Sequence, residues 1–145
     1  FTSPLLVELP LDGAVLITPE MLESVLSDAA SSPDLLLIRT GFEQYRKEER
    51  FWKNGPGLAA TLAPWLKEKF PSLMAVGVDF ISISSMQHRE EGRAAHRALL
   101  GAGIRLFEDL ALSGVLTWRL HQVIALPLRF SNADGAPCSI VAEVY

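Results

Sequence analysis

His96 and Glu108 are the two residues whose types and spacing could act together chemically. They lie twelve residues apart, at the two ends of an apolar segment punctuated by Gly101 and Gly103. An imidazole nitrogen and a carboxylate oxygen held on neighbouring elements could share one cation. Taken alone, such a pair is more often a core histidine hydrogen-bonded to an acid, and two potential ligands do not make a metal site.

The elements that must position this pair follow from local signals. Arg89 to Leu100 reads as a helix with acids in its first turn; the glycines end it, and Ile104 to Phe107 reads as a short returning strand closed by Glu108. Leu99 and Leu100 lie three and four residues beyond His96, so all three are expected on the inward face. His96 and Glu108 are therefore expected to approach one another.

The 145 residues carry a formal net charge of -4 and are 49% hydrophobic, which fits a single globular domain over 1–145 with a real core. No lysine–arginine block provides the footprint of a nucleic-acid or anionic-membrane binder, so a small-molecule substrate or a protein partner is expected instead. The one cysteine, Cys138, cannot form an internal disulfide. No apolar run approaches the ~20 residues of a membrane span, and the default expectation is a cytoplasmic protein. Because the chain opens on Phe1, it is expected to lack residues upstream.

Pro4–Leu9 and Ala14–Ile17 read as strands separated by Pro10 and Asp12-Gly13. Thr18 and Pro19 then open a helix that Ser31-Ser32-Pro33 stops. Leu35–Ile38 and Leu73–Val78 are continuous apolar runs, as expected of strands covered on both faces. Between them, Leu62–Phe70 reads as a helix with Pro64 in its first turn. Phe42, Phe51 and Trp52 sit in a mixed aromatic and charged stretch that reads either as a surface helix docked on the core or as a lid over a pocket for a flat apolar group. Asp79, at the end of an apolar strand, either faces a site or braces a loop. Ser82, Ser84 and Ser85 lie in a loop without the glycine-flanked elbow of a serine hydrolase. Gln122–Phe130 and Pro137–Val144 flank a turn and form a hairpin, expected to be mostly interior with a bulge at Pro127. Alternating strands and helices with a closing hairpin argue for an α/β fold: a mixed sheet with packed helices.

Several pieces occur in a recognisable order: Leu37-Ile38-Arg39-Thr40-Gly41, Gly77-Val78-Asp79, His96-Arg97-Ala98-Leu99-Leu100, Glu108-Asp109-Leu110 and Ala125-Leu126-Pro127-Leu128. Together with Ile17-Thr18-Pro19-Glu20-Met21-Leu22-Glu23, this set resembles the cyclase family of metal-dependent hydrolases, which includes kynurenine formamidase and isatin hydrolase. The resemblance runs from about residue 14 to the C-terminus. It implies a swivelling β/β/α domain, with His96 and Glu108 as metal ligands for zinc or manganese. It also implies that Asp79 and Ser82 brace the site, matching two positions of a family motif whose remainder departs here as Phe80-Ile81 and Ile83-Ser84. The family's other ligands come from a histidine-rich upstream motif that this sequence does not contain.

Two functions follow as expectations. One is a hydrolase of a small amide, lactam or lactone, represented here without its upstream metal motif and with Phe42, Phe51 and Trp52 flanking substrate. The other is a non-catalytic assembly or ligand-binding module that keeps the fold. Apolar surface left uncovered by an absent N-terminal part leads us to expect a homo-oligomer.

Overall fold

A computed structural model describes residues 1–26, 32–115 and 120–145 of the chain. Its centre is a four-stranded, wholly parallel sheet in the order β1-β3-β5-β6, from Pro4–Glu8, Leu35–Arg39, Ala75–Val78 and Arg105–Phe107. Alternation along these strands divides the core. Leu36, Ile38, Val76 and Val78 face a cluster that includes Leu62 and Leu66 of α3 (Leu62–Lys69) and Ala95 and Leu99 of α4 (Arg89–Gly101). Leu35, Leu37 and Ala75 face the other way, toward Val123 and Ile140 of an antiparallel hairpin, β7 (Leu120–Pro127) and β8 (Cys138–Val144). The fold is therefore α/β in three layers of hairpin, parallel sheet and helices, and the antiparallel pair forms its own layer rather than joining the main sheet.

The two strands expected at the start do not pair with each other. β1 lies parallel to β3, while β2 (Leu16–Ile17) pairs in parallel with β4 (Gly57–Leu58), a two-residue strand too short to show a period. The first helix, α1 (Pro19–Val25), ends before the expected stop, of which Ser31 lies outside the described residues. Thr18 stands extended at its N-cap but makes no side-chain capping bond.

The hairpin corrects an expectation. Only one of its faces meets the sheet, and a two-stranded layer has two, so Ile124, Leu126 and Val141 remain 49%, 58% and 57% exposed. Its irregularity falls between Leu120 and Gln122, not at Pro127. Pro127 closes the ladder opposite Cys138, where its missing N–H costs little. Among the described residues, no helix is long and apolar enough to cross a membrane.

Candidate functional site

The site forms where α4 runs beside the end of β6. Gly103, with φ 75°, turns the chain out of α4, and Arg105 pairs with Ala75 to begin β6. Leu106 packs with the helix-side cluster and Phe107 with the hairpin-side cluster. The next residue, Glu108, returns to the helix side, where its Oε1 lies 3.4 Å from His96 Nε2. Leu99 is fully buried, but Leu100 is 54% exposed, so His96 stands at the border of the inward face rather than inside it.

The loop between β5 and α4 holds both members of the pair. Ser82 Oγ donates to Glu108 Oε1 at 2.9 Å, and the Ile83 amide donates to the same oxygen at 2.8 Å. The Ser84 amide donates to Ser82 Oγ at 3.2 Å, leaving the Ser82 hydroxyl proton directed at Glu108. His96 Nδ1 lies 3.0 Å from the Gly92 carbonyl and 3.2 Å from Ser84 Oγ. A carbonyl only accepts, so this pairing places a ring proton on Nδ1; in the neutral ring Nε2 is then an acceptor facing Glu108.

Two acceptors 3.4 Å apart repel unless a proton or a cation lies between them. The His96 and Glu108 side chains are 33% and 32% exposed, so the gap is open to solvent on one side. One imidazole nitrogen and one carboxylate, each oriented by further hydrogen bonds, are donors of the kind that hold divalent transition-metal ions. Among the described residues, no group of three or more His, Cys, Asp or Glu could hold a metal ion.

The other expected site residues separate into two groups. Ser82 reaches the pair, as described above. Asp79 does not: it is buried and accepts from the Thr40 amide and hydroxyl and from the Gly41 amide at 2.6–3.0 Å, bracing the turn after β3. Burial pushes its carboxyl above the ordinary aspartate value, against the opposing pull of those bonds.

Phe42 and Phe51 are fully buried and stack on each other in the helix-side core, so they cannot flank a substrate. Their charged neighbours conceal this in the sequence. Trp52 is 57% exposed and packs edge-on against Phe51. A cavity of about 570 Å³ does open between the segment after β6 and the hairpin, with Glu108, Leu110, Leu112, Pro137 and Cys138 among its walls. None of the three aromatics lines it.

Ser84 and Gly92 also meet at this pair, and the sequence did not single them out. A glycine inside an otherwise good helix costs about 0.5–1 kcal/mol relative to alanine, and that anomaly was the available signal. Here a Cβ on Gly92 would stand 2.2 Å from Ser84 Oγ and 2.6 Å from its Cα.

The Cyclase family model matches residues 6–85, more than half of the chain and ending within the loop that holds the pair. The chain belongs to the cyclase family. Among the relatives of this cyclase-family chain, the kynurenine formamidase of Bacillus thuringiensis subsp. konkukian (strain 97-27) is 37% identical over 108 residues, which are 74% of this chain and 48% of that protein. The kynurenine formamidase of Bacillus anthracis is 36% identical over 106 residues, 73% of this chain and 47% of that one. The chain thus spans about half the length of the curated relatives it matches. Isatin hydrolase A from Labrenzia aggregata, solved with benzyl benzoate, shares the fold with a TM-score of 0.79 at 20% identity, over 99% of this chain and 60% of that one. An isatin hydrolase bound to the product analogue thioisatinate gives a TM-score of 0.73 at 18% identity, again with 60% of its chain covered.

Proposed function

We propose that this chain carries the His96–Glu108 share of a metal-dependent hydrolase site acting on small amides, of the N-formyl or lactam kind. The observation that carries the reading is the approach of His96 Nε2 to Glu108 Oε1, 3.4 Å apart, in a cyclase-family chain. The names of the matched relatives, kynurenine formamidase and isatin hydrolase, support the class of bond.

Hydrolysis joins a water oxygen to the carbonyl carbon, breaks the C–N bond and leaves a proton on the departing nitrogen. A divalent cation of the zinc or manganese kind, when bound, polarises the carbonyl and makes hydroxide available at neutral pH. His96 would hold it through Nε2 while Nδ1–H stays bound to the Gly92 carbonyl, which fixes the ring plane. Glu108 would hold it through its carboxylate, with Oε1 fixed by Ser82 and Ile83.

Catalytic zinc normally has three protein ligands and an open position, so two ligands alone hold a cation weakly. The 145-residue chain is therefore expected to turn over N-formyl and lactam substrates slowly even with added zinc or manganese. A protein that also carries the family's histidine-rich segment is expected to do so efficiently. In that protein, His96→Ala and Glu108→Ala should lower metal content and turnover together, each by about 10-fold or more. Metal analysis beside a substrate panel is the test, and full activity in the His96→Ala protein returns this residue to a core role.

A further inference from the structure

We infer that Ser84, seated on Gly92, is a positioning residue that sets the direction of His96 Nε2. The inference rests on the reading of His96 as a cation ligand and extends it to two residues that touch no cation themselves.

Three consecutive residues reach both members of the pair. Ser82 and Ile83 hold Glu108 Oε1, while Ser84 Oγ lies 3.2 Å from His96 Nδ1. The span between the two ligands is therefore set by one short stretch of backbone, as well as by the relation of α4 to β6. That stretch can lie so close to α4 only because Gly92 has no side chain, since a Cβ there would meet the Ser84 Cα and Cβ at 2.6 Å. Gly92 contributes its carbonyl to Nδ1 as well, so the imidazole is held between two oxygens, one from each element. With the Gly92 carbonyl alone, the ring keeps one hydrogen bond about which it can swing. With both oxygens in place, Nε2 is aimed at the gap in front of Glu108. Outer partners of this kind typically change metal affinity by about 10–100-fold when removed.

The test is a titration of the 145-residue chain with zinc chloride, followed by the ring resonances of ¹⁵N-labelled His96 and checked by calorimetry. Ser84→Ala removes only a hydroxyl and should leave the melting temperature unchanged while weakening zinc binding about 10-fold. Gly92→Ala should weaken it at least as much by displacing Ser84. The double variant should bind no more weakly than Gly92→Ala alone, because both changes act through one contact. Wild-type zinc affinity in Ser84→Ala overturns the inference, as do effects that multiply in the double variant. Binding by His96→Ala separates the two levels. If that variant loses zinc while Ser84→Ala does not, the positioning role alone falls; if His96→Ala binds as wild type, the ligand reading falls with it.

Discussion

His96 and Glu108 are each about one-third exposed, and neither fills space in the core. Phe42, by contrast, is fully buried among Phe51 and Tyr45. His96→Ala should therefore cost about 1 kcal/mol or less of folding stability, whereas Phe42→Ala should cost about 3–5 kcal/mol. Urea unfolding of the two variants checks this, and a large loss in His96→Ala would make it a structural residue. The pair was legible in the sequence because a helix end and a strand return are both written locally, in Gly101, Gly103 and the run that follows. Of the two readings of the aromatic stretch, Phe42 and Phe51 follow the core-docked one, a choice the sequence leaves open because residue type announces apolar area without saying which way it points. Ser84 and Gly92 were missed because their contact joins a loop to the face of a helix, and no spacing rule encodes it.

Among the elements, β3 and β5 were readable for the same reason that makes them central, since strands covered on both faces are aliphatic throughout. β4 was not, because two residues show no period. The short 3₁₀ segment Phe42–Tyr45 is tied to the chain beyond β6 by Glu43, whose carboxylate accepts from the Leu112 amide at 2.6 Å and the Ser113 amide at 2.9 Å. Partial burial pushes this carboxyl up, but the bonds from Ser113 and Leu112 and the nearby Arg46 outweigh it and hold the group below the ordinary glutamate value. A carboxyl depressed in the folded state adds stability above its unfolded value and loses it as pH falls through the folded one. The stability gap between wild type and Glu43→Gln should thus be full at neutral pH and shrink as the pH drops below about 4.3. Denaturant midpoints across that range are the measurement, and a gap that stays constant removes Glu43 from the acid response.

At the scale of the whole molecule, the three layers leave the outer face of the hairpin, with Ile124, Leu126 and Val141, exposed among the described residues. The sequence shows both hairpin arms to be apolar but does not show that the layer beneath them covers only one side. We propose that this face drives self-association, as contiguous apolar patches do. Light scattering should then report a dimer or larger species that Leu126→Lys shifts toward monomer, and a clean monomer for the wild type counts against it. The layering also gives the segment before Glu108 a counting function. Leu106 belongs to the helix side, Phe107 to the hairpin side and Glu108 to the helix side again, so side of the sheet is recorded as odd or even position along the chain. An insertion of one residue in Arg105–Phe107 reverses that parity and sends the carboxylate to the wrong layer, while an insertion of two restores it. The site thus tolerates changes of composition there far better than changes of length.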